Sequence, residues 1–527
     1  MSESLFAASL RALGRAPMEA RARTLAFDWR APASLALALT LGMMALRTFW
    51  GLQMGLGVDE SYSVGVARDL APSYFDHPPM HYWLAHAVQP LVGTGRGERA
   101  PFILLFGGSS WLMFLLGRRL FGETAGLWSC LALNVSGFFT VAGGGWVLPD
   151  GPLIFFELAA AVVLAALLFA EEAAPQRRLA LWLAAGVLIG LAGLSKYQAA
   201  LFAAGLGVFL VTTARGRREL ASPGPYLAAG LALAVLSPVI AWNAAHHWAS
   251  FAFQAGRGAP SQLHPLGPIV ALAGQFGVLL PWVFVPTAAA VISAARAGPI
   301  AERRWLCLML GAPAVLIFTL APVIGAPTLP HWPMPGWLLL LPLLGERLAV
   351  SAETQAWPRR WATASLVFVA MIGTLASLAA GAGWLGAQFP AAFRRGDPTA
   401  ESIEWSQLRP ALAQSAVLRE PGAFIAALKW NEAGKLDQAV GDVAPVTVLS
   451  SDPRQFAYRH PAAGLVGQDA LIIGKADTID ERLADITPYF RSVRRLPPVR
   501  IGREGHDEIT LDLVEARGLL RPYDAAH

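Results

Sequence analysis

Residues 31 to 62 read APASLALALTLGMMALRTFWGLQMGLGVDESY, and this stretch sets the architecture of the chain. From Ala31 to Trp50 it is apolar except for Arg47. That is long enough to cross a bilayer, which takes about 20 apolar residues per helix. Arg47 lies near the end of the run, where a long side chain can snorkel to the interface. Asp59 and Glu60 follow at once. Adjacent acids beside a hydrocarbon span are costly unless paired, solvated or functional. The pair therefore opens a polar loop outside the membrane, and that loop is where chemistry is expected.

Similar apolar runs recur at 101–117, 124–143, 152–170, 179–193, 197–213, 225–242, 266–290, 305–321, 334–349 and 361–384. With the first, they predict a polytopic α-helical membrane protein of about eleven spans. A single helix over Leu179–Thr213 would reach about 50 Å, so a turn is placed at Gly193-Leu194-Ser195-Lys196. The composition agrees: of 527 residues, 55% are hydrophobic and 15% charged, with a net charge of +5. Cys130 and Cys307 both fall in apolar runs and read as free buried thiols.

Arginine placement predicts orientation. Arg11, Arg15, Arg21, Arg23 and Arg30 precede the first run, which has no small-residue cleavage site. Arg118-Arg119, Arg177-Arg178, Arg215 to Arg218, Arg303-Arg304 and Arg359-Arg360 occupy alternate loops. These loops and the N-terminus are expected on the cytoplasmic side. The other loops hold Asp59, Glu60, Asp150, Lys196, His246, His247 and His331, together with Arg68, Arg96, Arg99 and Arg257. Residues 1–387 thus form a transmembrane domain with outer-face loops. After residue 387 charge rises, and short β-rich pieces such as Val446–Leu449 and Ala470–Ile473 alternate with helix-like stretches. Residues 388–527 are expected to be a soluble α/β domain on the Asp59 side. No P-loop, dinucleotide fingerprint or internal repeat is present, and nothing points to a nucleic-acid partner.

Within the outer loops, Asp59 and Glu60 can supply a general base or a metal ligand, or cap a loop helix. Asp76-His77-Pro78-Pro79 reads as a rigid turn that could hold His77 at a site, or as a helix start. His77, His81 and His86 raise a metal reading that the intervening prolines weaken. Tyr82 and Trp83 fit an interfacial aromatic belt, with Tyr82 also a candidate for substrate contact. Arg99 and Lys196, cationic at the outer face, suit an anionic headgroup. Asp150 is either a second site carboxylate or a helix N-terminal acid. His331 either lines the same cavity or anchors the interface.

In order, these motifs resemble glycosyltransferase family 39, the protein O-mannosyltransferase and aminoarabinose-transferase superfamily. The resemblance rests on Asp59-Glu60, Phe75-Asp76-His77-Pro78-Pro79-Met80-His81-Tyr82-Trp83, Arg99, and Gly117-Arg118-Arg119-Leu120-Phe121-Gly122. It continues through Pro149-Asp150-Gly151-Pro152-Leu153, Gly193-Leu194-Ser195-Lys196-Tyr197 and Pro330-His331-Trp332-Pro333, covering about residues 31–350. Lys429 to Lys435 and Ser451 to Phe456 carry a weaker likeness to the tails of bacterial members.

The resemblance implies a GT-C-like enzyme of the bacterial inner membrane with a periplasmic site. Such an enzyme moves a sugar, with inversion, from a polyprenyl-phosphate carrier to a lipid or protein hydroxyl. It implies Asp59 as general base with Glu60 in support, and Asp150 as a further acidic site residue. It implies Arg99 and Lys196 as candidates for the carrier phosphate, with His77, Tyr82, Tyr197 and His331 completing the substrate-binding set. This chain has His77 where aminoarabinose transferases tend to have lysine, a departure that bears on the sugar and acceptor. No cofactor is required, though a divalent metal is compatible. The leading expectation for the acceptor is an envelope glycolipid such as lipid A or its core, the alternative a secreted protein. A lipid-sugar transporter would tend to show pseudo-symmetric halves. The chain shows none, and its polar residues gather at one face.

Overall fold

The computed structural model describes residue 28 and residues 30–170, 174–389, 397–413, 415–503 and 506–523. The N-terminal arginines from Arg11 to Arg23 lie outside the described residues. Among the described residues, seven helices are long and apolar enough to cross a membrane, or ten if each of three bent helix pairs is one span. The difference from eleven is Met334–Thr354. Its residues from Met334 to Gly345 are all buried, and its second half carries Glu346, Arg347 and Glu353. The run at 266–290 is also not one helix. Gly267–Leu279 and Pro281–Ala297 meet at Leu280, whose φ is +76°.

The departure from a simple span that shapes the site is in the third run. Glu123–Asn134 and Gly137–Gly145 meet at a bend of 79°. Such a break frees backbone carbonyls inside an apolar bundle, where each needs a new donor. Arg47 supplies one. It does not snorkel: it is 4% exposed, donates from Nε to the Thr140 carbonyl at 3.2 Å, and from Nη1 to Asn134 Oδ1 at 3.0 Å. Its guanidinium also stands 4.4 Å from the Phe106 ring centroid. A Cβ at Gly144 would meet Arg47 Nε at 2.6 Å, so only glycine lets the chain pass this close. The bend returns the backbone to Trp146-Val147, beside the acidic pair.

Asp150–Leu168 has Asp150 at one end, while Phe169, just past the other, helps line a cleft of ≈ 900 Å³ with Arg215, Arg218, Arg303 and Arg304. A 19-residue helix is about 28 Å long. Asp150 and the basic loops are therefore at opposite ends of the helical body.

The C-terminal region carries a six-stranded sheet in the order β2-β1-β3-β6-β4, with β5 also on β6. The strands are β1 Phe424–Ala427, β2 Val446–Val448, β3 Ala470–Lys475, β4 Phe490–Arg495, β5 Val499–Arg503 and β6 His506–Leu519. β1, β2 and β3 are parallel, and β6 runs antiparallel to β3, β4 and β5. Side chains alternate between the two faces. Phe424, Ala426 and Ile472 pack in one cluster with Ile479 and Ile486. Ile425, Ala427, Leu471 and Ile473 pack on the other face with Leu436 and Val440, and that cluster continues into Leu56, Tyr62, Val64, Tyr74, Tyr82 and Val147 of the membrane domain. The outer loops and the sheet domain thus share one apolar core.

The contact is closest between the Val58–Val66 helix, which bears the acidic pair, and the Trp430–Val440 helix. A Cβ at Gly434 would lie 2.8 Å from Tyr62 Cα, and one at Gly65 2.5 Å from Asp437 Oδ2. Lys435 Nζ donates to the Leu56 carbonyl at 2.5 Å and to the Ile403 carbonyl at 3.2 Å. Arg459 joins Asp437 of the sheet domain to Asp69 of the outer loop. Overpacking of a tight contact costs about 1–3 kcal/mol. Gly434→Val is therefore expected to loosen the sheet domain from the helical body, seen as faster limited proteolysis between residues 389 and 424, while the same change at the open Gly464 has no effect.

Candidate active site

Glu60 and Arg99 form the rigid floor of the site. Glu60 is 1% exposed and Arg99 2%. Arg99 Nε donates to Glu60 Oε1 at 2.8 Å and Nη2 to Oε2 at 2.5 Å. Its remaining donors go to the carbonyls of Gly51 at 2.7 Å, Met54 at 2.9 Å and Gly55 at 2.9 Å. Guanidinium has five N–H donors, and all five are used. Arg99 has none left for a carrier phosphate. Glu60 also accepts the backbone N–H of Gly57 at 3.0 Å and of Val147 at 3.1 Å. Burial opposes its charge, but Arg99 and these donors outweigh that and hold its carboxyl below the usual range.

Asp59, its neighbour, is exposed. The surrounding protein still desolvates it, so its pKa is raised. The Arg454 charge pulls it down, while Asp76, Glu401 and Glu60 push it further up. One carboxylate is thus locked and ionised, and the adjacent one is open and more basic. That difference suits a structural and a proton-accepting role respectively.

Asp76 is a further acid that sequence reading treated only as part of a turn. It is 2% exposed; Tyr62 and Tyr82 each donate to its Oδ1 at 3.1 Å, and its Oδ2 lies 3.5 Å from Arg454 Nη1. Tyr82 is fully buried, with its ring 4.1 Å from Tyr74. It therefore belongs to no interfacial belt: its hydroxyl fixes Asp76. His77 packs edge-on to His81 at 5.8 Å, and burial lowers its pKa to about 4, which keeps the ring neutral. His86 Nδ1 lies 2.8 Å from the Ala67 carbonyl. No group of three or more His, Cys, Asp or Glu side chains that could hold a metal ion is found among the described residues.

Lys196 and Asp150 form a second centre. Lys196 follows the last residue of Pro175–Ser195, Asp150 begins Asp150–Leu168, and Lys196 Nζ donates to Asp150 Oδ1 at 2.8 Å. Both are nearly buried. His331 stacks on Phe138 at 5.8 Å and shares an electrostatic neighbourhood with Asp150, Lys196 and Arg257. Tyr197 is bonded to Ser250 Oγ at 2.6 Å, so it orders the Ala249–Arg257 helix. From that helix Gln254 donates to the Asp76 carbonyl at 2.6 Å, and Arg257 stands over Trp332 at 4.6 Å. Arg257 feels the charges of Asp59 and Asp76 and is itself felt at His77 and His331. It connects the two acidic centres.

Asp59, Asp150, Lys196, His77 and His331 are accordingly gathered at one end of the helices, with Glu60, Arg99, Tyr82 and Tyr197 as their supports. Asp76, Arg257 and Arg454 are additions. The proline-fixed turn and the unusual outer-face arginine were signals for the first two. Arg454 lies in the Ser451 to Phe456 stretch, whose weak likeness to bacterial tails did not single it out.

Breaking a buried, hydrogen-bonded ion pair costs about 3–5 kcal/mol. Glu60→Gln and Arg99→Lys are both expected to lower the thermal midpoint of the detergent-solubilised protein by several degrees, since lysine brings three donors where five are used. Asp59→Asn is expected to leave the midpoint unchanged or slightly raised. The Glu60 contribution is present above the ordinary glutamate pKa of about 4.3 and is lost as pH falls through its lower folded value.

The family model for dolichyl-phosphate-mannose-protein mannosyltransferase matches residues 76–242. No curated protein matches the chain at a significant level. Among solved structures, the chain is similar to ArnT from Cupriavidus metallidurans bound to undecaprenyl phosphate, with a TM-score of 0.59 and 17% identity over 90% of this chain and 97% of that one. The apo state of the same protein gives 0.58 and 18% over the same shares. The chain therefore shares the overall fold of that protein, a polytopic helical body with a sheet-containing C-terminal domain.

Proposed function

We propose that the chain is an inverting glycosyltransferase that moves a sugar from a polyprenyl-phosphate carrier to an envelope glycolipid, lipid A or its core, at the periplasmic face of a bacterial inner membrane. The N-terminus is then cytoplasmic and the sheet domain periplasmic. The observation that carries this reading is Asp59: an exposed carboxylate of raised pKa, beside a locked one, within the charge field of Arg257 and Arg454. The similarity to a structure holding undecaprenyl phosphate supports the donor class.

In this reading the acceptor oxygen attacks the anomeric carbon while Asp59 takes its proton. The bond from that carbon to the phosphate oxygen breaks, and its electron pair leaves with the polyprenyl phosphate. Lys196 and Arg257 neutralise the charge developing on that phosphate, which is where preorganised cations lower a barrier most. Asp150 holds Lys196 in place, and Glu60 with Arg99 fixes the helix that presents Asp59. The carrier's tail stays in lipid, so no nucleotide site is needed. A protein hydroxyl as acceptor is the second reading, favoured by the mannosyltransferase model matched over residues 76–242.

Losing a general base costs about 10²–10⁴-fold in rate. Asp59→Asn is expected to lose transfer by that factor while inserting normally. Mass spectrometry of envelope lipids from deleted, complemented and Asp59→Asn strains is expected to show one lipid lacking a sugar-sized mass in the first and third. Unchanged lipids with sugar missing from secreted proteins would select the second reading. Near-normal turnover of purified Asp59→Asn would remove Asp59 as base.

The base acts ionised, so kcat/KM falls as pH drops through its pKa. Because that pKa is raised, the acid limb is expected above the ordinary aspartate value of about 3.9. A limb at or below it would contradict the assignment.

A further inference from the structure

The loop Ser451-Asp452-Pro453-Arg454-Gln455 brings a cation of the sheet domain to Asp76 of the outer loop. Its anchoring is specific. The Phe75 N–H donates to Gln455 Oε1 at 2.8 Å, and the Gln455 N–H donates to the Tyr62 hydroxyl at 3.2 Å. Tyr62 in turn holds Asp76. Between these anchors and the sheet, Arg454 adopts φ +48°, a left-handed conformation that a non-glycine residue takes at a cost and that collects at functional sites.

Arg454 contrasts with Arg99. Its guanidinium lies flat on Trp430, 3.5 Å from the ring centroid, and only 3.5 Å ion pairs reach Asp76 and Asp452, beyond good hydrogen-bond length. Its Nε is buried and has no hydrogen-bond partner. Cation–π stacking fixes the plane of a guanidinium without using its N–H groups. The side chain is therefore oriented but unspent.

Arg257 shares an aromatic neighbour with it and feels its charge. Phe253 lies 5.8 Å from the Arg454 guanidinium and 5.6 Å from that of Arg257. One arginine comes from the outer loop and the other from the sheet domain. Two guanidiniums held this close repel each other, and an anion between them relieves the repulsion while accepting from both forks.

We propose that Arg454 is an active-site residue delivered by the C-terminal domain, which joins Arg257 in clamping the phosphate of the polyprenyl-phosphate carrier. The sheet domain is then a wall of the donor site, and undocking it removes half of the phosphate clamp. This inference rests on the donor class proposed above and assigns the domain a role in donor binding.

The test is equilibrium binding of undecaprenyl phosphate alone to the full-length, detergent-solubilised protein, with inorganic phosphate as a second probe. Arg454→Ala is expected to weaken undecaprenyl-phosphate binding at least tenfold, with the thermal midpoint unchanged, and Arg454→Lys to recover part of the loss. In turnover, the carrier KM is expected to rise for Arg454→Ala. Binding unchanged in Arg454→Ala but weakened in Arg257→Ala would overturn the role of Arg454 and leave the donor class standing. Failure of the unaltered protein to bind undecaprenyl phosphate would overturn the donor class itself. Equal competition by inorganic phosphate at low concentration would show an adventitious anion site and reject the clamp. Should Arg454→Ala loosen the domain, Trp430→Leu, which removes the stacking plane but leaves the charge, is expected to weaken binding by a smaller factor. No weakening in that variant would count against the clamp.

Discussion

The ion pair between Glu60 and Arg99 is the constraint on which the rest of the site depends. It gathers the end of the first span, the start of the acidic helix and the return of the bent third segment, because Arg99 bonds to Gly51, Met54 and Gly55 while Glu60 bonds to Gly57 and Val147. Two buried charges are tolerated there only because every donor and acceptor is matched. The result is a fixed base for Asp59, which stays exposed at the start of the same helix. Adjacent identical-looking acids acquire opposite properties from that single difference in satisfaction.

A second constraint is the shared apolar core. The sheet face bearing Ile425, Leu471 and Ile473 is covered by the Trp430–Val440 helix, whose other side lies on the Val58–Val66 helix through Gly434 and Gly65. Soluble domain and outer loop are in this sense one packing unit. Their junction is lined by Tyr62, Trp430 and Phe456, with Tyr62 meeting each of the other rings edge-on. Cations at its margin, Lys435 and Arg459, are spent on carbonyls and carboxylates that hold the two parts together. Arg454 makes only 3.5 Å ion pairs, to Asp76 and Asp452, which is why it stands out chemically.

Much of this was legible in the sequence, and the reasons are physical. Each apolar run formed helix, since a hydrocarbon span must satisfy its own backbone. The sequence could not show that one run would bend by 79°, because the donor that makes the bend tolerable, Arg47, lies on a different helix. The same ambiguity applies to Met334–Thr354, which is apolar along its first half and yet sits inside the bundle. In the site, Asp59, Asp150, Lys196 and His331 stood out as charges at helix ends. Arg99 stood out in the same way, but its role as a fully engaged partner of Glu60 depended on carbonyls exposed by the loop at Gly51 to Gly55.

The chain by itself determined the approximate limits of the apolar segments, the alternation of basic and acidic loops, and the β-rich C-terminal region. These follow from local composition: about 20 apolar residues for each crossing and short β-branched or apolar runs for the buried strands. Tertiary structure alone decided which charges are consumed and which are free. Gln455 and Tyr62 are 393 positions apart, and no local pattern encodes their meeting. Whether an arginine braces a loop or faces a ligand is set by how many acceptors surround its five donors, and that count exists only once the chain has folded.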